Sequence, residues 1–187
     1  MSSFIVLIDA CTVFSSPIRD TLFRAAENEL YRLRLTDEIM EEARRNLVSE
    51  RGIPEEAAQY LVEAVKASFP EAFVTQYESL ISAMPNHESD RHVLAAAVKS
   101  GAQVIVTQNL KHFLSKDLSP YDIEAQSPDD FLVHLFHLDP ELMVRIIRKQ
   151  ASDLRKPSRT VSELLLGLEK QIPDFVRLTR GALKLDQ

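Results

Sequence analysis

An acidic residue interrupts an apolar segment near the start of the sequence. Residues 4–14 read FIVLIDACTVF, in which Asp9 directly follows a continuous apolar run. Such a run predicts a strand that is buried on both faces, as in a parallel sheet. A carboxylate beside a buried strand costs on the order of several kcal/mol unless it is neutralised, paired or bound to a metal. Asp9 is therefore the first candidate for a chemical role.

Two further polar residues fall where the chain meets the same edge of that sheet. Asn109 ends a second apolar run, VIVTQN, and Asp90 begins the helical pattern DRHVLAAAVKS that leads into it. Ligands of open parallel sheets bind beyond the carboxyl ends of the strands. Each residue also has a structural alternative, since Asp90 can cap its helix beside Ser89 and Asn109 can be a turn residue.

A third carboxylate comes from the helical pattern TDEIMEEARRNLVSE at 36–50. At about 100° per residue, the apolar side chains of this helix fall on one face. They are Ile39, Met40, Ala43 and Leu47. Glu42 lies nearest to that face and can stand between core and cleft, whereas Glu38 and Glu41 point away from it and are interpreted as solvated.

A cluster of acids with one amide is typical of a site for a hard divalent cation. Mg²⁺ and Mn²⁺ bind a few carboxylates and keep several waters. The matching chemistry is metal-assisted hydrolysis of a phosphodiester, in which the ion polarises the phosphate and lowers the pKa of an attacking water. We therefore predict Asp9, Glu42 and Asp90 as catalytic metal ligands for Mg²⁺ or Mn²⁺, with Asn109 as an assisting catalytic residue.

Other enzyme classes lack the residues that they need. The four glycines, at widely spaced positions, form no phosphate-binding loop, which excludes dinucleotide-binding and P-loop proteins. A phosphatase with an aspartyl nucleophile would need a second Asp two positions after Asp9, where Cys11 stands instead. Cys11 has no His near it in sequence and is interpreted as a small buried hydrophobe. No His/Cys spacing fits a zinc site.

The elements that would position these residues alternate between strand and helix. Apolar runs predict strands at 4–8, 31–35, 72–77, 102–109 and 121–126. Alternation of this kind predicts an α/β fold with a mainly parallel sheet covered by helices on both faces. From Ser127 onward only helical patterns occur, beginning with Ser127-Pro128 and Asp139-Pro140 as caps. We predict an α/β domain at 1–126 and a helical C-terminal extension at 127–187.

Charge and cysteine content indicate a candidate binding surface and a cellular compartment. The net charge is −6, yet residues 145–159 hold six basic residues against one acidic residue. A polyanion would bind there, and a solvated helix face is the alternative. The single cysteine predicts a reducing compartment, most simply the cytoplasm. Residues 4–14 are too short to span a membrane and follow no basic residue, so neither a membrane segment nor a signal peptide is expected.

Four segments in order resemble the PIN domain, the nuclease module of VapC-type toxins in bacterial and archaeal toxin–antitoxin pairs. They are VLIDACTVF, TDEIMEEARRNL, DRHVLAAAVKSGAQVIVTQN and LKHF. The resemblance covers most of 5–126, and its subgroup carries a helical C-terminal extension. It implies a three-layer α/β/α sandwich and places Asp9, Glu42 and Asp90 at the family's acidic metal site. It also implies a ribonuclease that needs Mg²⁺ or Mn²⁺, an RNA substrate, a homodimer and a small antitoxin that blocks the cleft.

Several positions depart from the family pattern. Asn109 stands where many members have a fourth acid, and His87 and His112 stand where relatives often carry another Asp. The two histidines are interpreted either as ligands for phosphate or Mn²⁺ or as polar residues of the rim. These departures support an alternative, a degenerate PIN module that binds RNA or a protein without cutting. A small-molecule phosphohydrolase at the same acidic residues is a third hypothesis.

Overall fold

A small parallel sheet forms the centre of the first part of the chain. The computed structural model describes residues 4–155 and 157–184. Its strands are β1 (Ile5–Ile8), β2 (Arg32–Arg34), β3 (Val104–Val106) and β4 (Glu124–Gln126). All pairs are parallel, in the order β2-β1-β3-β4. Because β1 pairs with strands that follow it on both sides, the order reverses beside β1, where open sheets bind their ligands.

The remaining regular structure is helical. The α-helices are α1 (Ala10–Val13), α2 (Ser16–Glu27), α3 (Asp37–Arg51), α4 (Glu55–Ser68), α5 (Arg91–Ser100), α6 (Ser115–Leu118), α7 (Pro128–Leu138), α8 (Pro140–Asp153), α9 (Val161–Leu168) and α10 (Pro173–Leu183). Short 3₁₀ turns occupy Pro70–Ala72, Glu78–Ala83, Glu88–Asp90, Leu110–His112 and Ser119–Tyr121. None of the described helices combines the length and apolar character that a bilayer crossing requires.

The helix that carries Glu42 has well-defined ends. The Thr36 hydroxyl accepts a hydrogen bond from the Ile39 backbone N–H at 3.0 Å and so caps the start of α3. Gly52 ends α3 with a φ of +63°, a left-handed conformation that suits glycine. The predicted inward face of α3 is confirmed, because Ile39, Met40, Ala43 and Leu47 are all buried. These ends and this face fix which way Glu42 points.

The sheet confirms the predicted fold class, an α/β sandwich with a parallel sheet and a helical C-terminal part. The strand predicted at 72–77 is wrong. Its start is taken up by the 3₁₀ turn Pro70–Ala72, and Phe73 forms only an isolated bridge with Leu35. Gln76 has a φ of +61°, which ends any extended conformation there.

The structure divides into two compact units. The sheet unit comprises residues up to Ser15 together with Tyr31–Gln126, and the helical unit comprises Ser16–Leu30 together with residues from Ser127 onward. Within the helical unit, the Thr21 hydroxyl donates to Gln150 Oε1 at 2.8 Å, and Gln150 Nε2 donates to the Pro17 carbonyl at 3.0 Å. These buried bonds join α2 to α8. The predicted domains, 1–126 and 127–187, differ from these units by α2 and its flanks and stay a prediction.

Candidate metal centre and active site

Asp9 lies at the carboxyl end of β1 and is buried. Its backbone N–H donates to the Val106 carbonyl at 3.0 Å, which extends the pairing of β1 with β3 by one residue. The side chain leaves the strand as the cap of α1, where Oδ1 accepts from the Ala10 N–H at 2.7 Å. Oδ2 accepts from the Thr107 hydroxyl at 2.7 Å. Asp9 is only 3% exposed, so these bonds hold the carboxylate in one orientation.

Cys11 is a polar neighbour of Asp9. Its Sγ donates to Asp9 Oδ2 at 3.2 Å and accepts from the Gln108 N–H at 3.3 Å. Burial, together with the negative charge of Asp9, raises the pKa of the Cys11 thiol to about 12. The thiol therefore stays protonated at neutral pH and can act as a donor. Its interpretation as a small buried hydrophobe is wrong, because the side chain is partly exposed and hydrogen-bonded.

Glu42 lies within electrostatic range of two other acids. Burial raises the pKa of Glu42, and the negative charges of Asp9 and Asp90 raise it further. His92 and Arg45 oppose this shift. The side chain is 37% exposed, which places it at the border between core and solvent, as its helical position predicts.

The two other acids of this helix turn are solvated, as predicted. Glu38 is exposed. Glu41 is exposed and forms an ion pair with Arg44 at 2.6 Å. The hydrogen bonds from Arg44 lower the pKa of Glu41. The pKa values of Glu41 and Glu42 thus move in opposite directions, although the residues are adjacent in sequence.

Asp90 does not use its carboxylate as a helix cap. It occupies the cap position of α5, yet its side chain makes no capping hydrogen bond. Instead Oδ2 accepts from the Ser89 hydroxyl at 2.7 Å and lies 2.6 Å from His112 Nδ1. The side chain is 11% exposed. The capping alternative for Asp90 is therefore wrong, and the carboxylate faces the other polar residues.

Asn109 approaches Asp9 through the backbone. Its N–H donates to Thr107 Oγ1 at 3.0 Å, and the same hydroxyl donates to Asp9. This hydrogen bond spans two residues and forms a local turn, which is the structural alternative given for Asn109 above. An assisting role of the Asn109 side chain stays a prediction.

Two histidines, His87 and His112, lie close to the carboxylate of Asp90. The rings of His87 and His112 are stacked, with centroids 4.1 Å apart and planes 11° from parallel. Three or more His, Cys, Asp or Glu side chains can together hold a metal ion. Among the described residues, one such group, His87, Asp90 and His112, has its ligand atoms all within 4.8 Å of one another. Asp9, Glu42 and Asp90 interact through their charges but do not reach that separation.

Sequence reasoning missed the supporting residues. Thr107 joins Asp9 to Asn109, although only its place after a buried strand hinted at this. His92 is buried, with Nε2 3.9 Å from Glu42 Oε2. Among the described residues His92 Nε2 and Asn86 Oδ1 are buried without a hydrogen-bond partner.

The acidic edge, defined as Asp9, Glu42 and Asp90, fits a divalent cation. Over residues 4–155 and 157–184, no Lys or Arg forms an ion pair with any of the three. Burial is the main cause of the raised pKa of Glu42, and the charges of Asp9 and Asp90 add a repulsion that a cation would relieve. A small set of carboxylates suits an ion such as Mg²⁺, which keeps several of its waters.

The chain belongs to the PIN-domain family. The family model described as PIN domain matches residues 5–111, and the model described as VapC50 C-terminal domain matches residues 128–181. These matches confirm the resemblance to the VapC-type subgroup with a helical C-terminal extension.

A curated protein is similar in sequence to part of this chain. "Putative ribonuclease VapC50" of Mycobacterium tuberculosis is 46% identical over 109 residues, which cover 58% of this chain and 64% of that protein. The chain thus matches less than two thirds of its relative's length. No solved structure gives a significant match.

Proposed function

We propose that this protein is an endoribonuclease that hydrolyses RNA phosphodiesters with Mg²⁺ or Mn²⁺, and that it is the toxin of a toxin–antitoxin pair. The observation that carries the proposal is a buried carboxylate, Asp9, at the carboxyl end of β1 and within range of the charge of Glu42, in a chain that matches the PIN-domain family. Repelling carboxylates without a Lys or Arg ion pair, among the described residues, leave negative charge that a cation can use.

The residues of the acidic edge have separate tasks in this proposal. Asp9, fixed by Ala10, Thr107 and Cys11, offers a rigid carboxylate. Glu42 from the second turn of α3 and Asp90 from the start of α5 complete the set of ligands. When bound, the divalent ion supplies positive charge that polarises the phosphate and favours ionisation of an attacking water. No protein nucleophile is required, which agrees with a thiol at Cys11 that stays protonated.

The choice of RNA rests on the relative and on charge. The relative from Mycobacterium tuberculosis is named as a ribonuclease, and the match covers 64% of it. In the helical unit, Arg145 and Arg148 are exposed on α8, and neither forms an ion pair within the part of the chain that the structure describes. Lys156, another basic residue of the stretch 145–159, lies outside the described residues. Exposed arginines of this kind bind phosphates without reading sequence.

The partners follow from family membership. A small antitoxin, a homodimer and a cytoplasmic location are proposals that accompany the assignment to the VapC type. An antitoxin could suppress cleavage by placing a cation, such as an Arg side chain, near the acidic edge. Such a side chain would relieve the same repulsion that a metal ion relieves.

Cleavage of a mixed RNA substrate by purified protein, with Mg²⁺ or Mn²⁺ added, tests the proposal. We expect Asp90→Asn to lose cleavage, because it removes one charge from the acidic edge. Glu88→Gln is the matched control, since Glu88 is exposed and only two positions away. Cleavage by Asp90→Asn at the wild-type rate with Mn²⁺ would contradict the assignment. RNA binding without cleavage in the wild type would instead support the degenerate module that Asn109 suggests.

A further inference from the structure

The histidine cluster, defined as His87, Asp90 and His112, is a compact set of donors. His112 Nδ1 lies 2.6 Å from Asp90 Oδ2, and His87 Nδ1 lies 3.8 Å from the same oxygen. The two imidazole rings are stacked with centroids 4.1 Å apart, and one ligand atom from each of the three residues lies within 4.8 Å of the others. Two short 3₁₀ turns, Glu88–Asp90 and Leu110–His112, bring these residues together from distant parts of the sequence.

The donor types distinguish this cluster from the acidic edge. Two imidazole nitrogens and one carboxylate oxygen suit ions such as Co²⁺, Ni²⁺ and Zn²⁺, whereas Mg²⁺ prefers oxygen alone. Around a tetrahedral zinc ion with bonds of about 2.0–2.1 Å, neighbouring ligand atoms lie about 3.3 Å apart. The separations of 2.6 and 3.8 Å bracket that value. Because imidazole lone pairs lie in the ring planes, the two rings would have to tilt out of their stacked arrangement to direct both nitrogens at one ion.

The histidine cluster is accessible to solvent, and its carboxylate is hydrogen-bonded to a neighbouring side chain. The side chain of His87 is 57% exposed and that of His112 is 22% exposed, so an ion can enter from solvent and keep open positions. The Ser89 hydroxyl donates to Asp90 Oδ2 at 2.7 Å and also lies 2.8 Å from His87 Nδ1, so it contacts two residues of the cluster. Bonds of this kind orient the ligands of metal sites.

The two oxygens of Asp90 have different surroundings. Oδ2 faces both histidines and Ser89, while no described residue hydrogen-bonds to Oδ1. One carboxylate can thus serve the histidine cluster through Oδ2 and the acidic edge through Oδ1. We propose that His87, Asp90 and His112 form a second site, which shares Asp90 with the acidic edge, for a nitrogen-binding divalent transition metal, and that Mg²⁺ does not occupy it. This site does not require the ribonuclease activity.

Titration of the full-length, metal-free protein with Co²⁺, followed by its visible absorption bands, tests the proposal. We expect saturable binding with bands that change when nitrogen ligands are lost. His87→Gln and His112→Gln should each weaken Co²⁺ binding at least about tenfold, in line with the loss of a ligand or its support. His137→Gln is the control, because His137 is an exposed histidine on α7. Zn²⁺ should displace Co²⁺, whereas millimolar Mg²⁺ should not.

Two results would overturn the proposal. One is Co²⁺ affinity that is unchanged in both His87→Gln and His112→Gln, even if the variants are less stable, since the contact with Asp90 would then be structural only. The other is displacement of Co²⁺ by Mg²⁺. Asp9→Asn separates this proposal from the ribonuclease, because it should retain Co²⁺ binding while cleavage is lost. RNA cleavage by Asp90→Asn would contradict the ribonuclease assignment. The metal-site proposal would still stand or fall on the Co²⁺ affinities of His87→Gln and His112→Gln.

Discussion

The acidic residues of the two units are used differently. In the helical unit, Asp153 lies 3.0 Å from Arg24 and 2.8 Å from Lys149. Hydrogen bonds from Lys149 and Arg24 lower the pKa of Asp153. Other acids of this unit cap helix starts or pair with arginines in the same manner. They are Asp20, Asp129, Asp139, Glu163, Glu169 and Asp174.

The acidic edge of the sheet unit shows the opposite pattern. Among the described residues, its three carboxylates have no Lys or Arg in an ion pair, and the pKa of Glu42 is raised rather than lowered. Burial and two neighbouring carboxylates both oppose the charge of Glu42, which is the pattern of a ligand site and not of a structural ion pair. The comparison indicates that acids in the helical unit stabilise the fold, whereas those of the acidic edge are available for a ligand.

The largest contrast should appear in catalysis. We expect Asp9→Asn to reduce RNA cleavage by more than about 100-fold, because it removes charge at the centre of the site. The fold should survive, since Asn Oδ1 can still accept from the Ala10 N–H. Asp153→Asn should cleave within about threefold of wild type, as its role is structural. Equal losses in the two variants, measured at matched folded fractions, would erase the distinction between the units.

A second prediction concerns RNA affinity. Replacing Arg145 and Arg148 together with Gln should weaken RNA binding about tenfold at low salt and flatten its salt dependence, because phosphate contacts are lost. Arg177→Gln is the control, since Arg177 is already paired with Asp174 at 3.0 Å. Fluorescence anisotropy at several salt concentrations would measure this. Unchanged affinity would mean that the basic stretch is a solvated helix face.

A third prediction concerns stability and pH without metal. The folded protein holds the Glu42 proton more tightly than the unfolded chain, so stability falls as pH rises from near 4.5 through the raised pKa of Glu42. Glu42→Gln should therefore raise the Tm at pH 7 by roughly 1 to 3 °C, after allowance for solvent screening. The gain should disappear below pH 4.5.

Glu163→Gln is expected to change the Tm in the opposite direction, because the pKa of Glu163 is lowered where that of Glu42 is raised. Glu163 accepts hydrogen bonds from the backbone N–H and hydroxyl of Thr160, which lower its pKa. Its contribution is present at neutral pH and lost on acidification, so the variant should lower the Tm at pH 7. A Tm for Glu42→Gln that is equal to or below that of wild type at pH 7 would count against repulsion in the acidic edge.

The smallest effect is expected at Cys11. A serine hydroxyl can donate to Asp9 Oδ2 as the thiol does at 3.2 Å, so Cys11→Ser should retain RNA cleavage within about threefold. Cys11→Ala removes the donor and should cost about 1 kcal/mol of stability by denaturant unfolding. If Cys11→Ser loses cleavage while Cys11→Ala retains it, the sulfur does not act as a hydrogen-bond donor.

The sequence was sufficient where local patterns decide the structure. The periodicity of α3 placed Glu42 at the edge of the core, and the apolar run before Asp9 gave the central strand. Contacts between distant residues could not be read in this way. The bond from Thr107 to Asp9 joins positions 98 apart, and the stacking of His87 on His112 depends on two irregular turns. The segment 72–77 failed because Gln76 adopts a left-handed conformation that apolar content does not signal.

The central claim is that the acidic edge holds a cation in place of a basic side chain. Thermal unfolding of wild type and Glu42→Gln at pH 7, in Mg²⁺ or in NaCl of equal ionic strength, tests it most directly. In NaCl, Glu42→Gln should be the more stable protein. In Mg²⁺ at about 100 times its Kd, the wild type should gain about 2.7 kcal/mol and become the more stable of the two. Equal responses of the two proteins to Mg²⁺ would contradict the account.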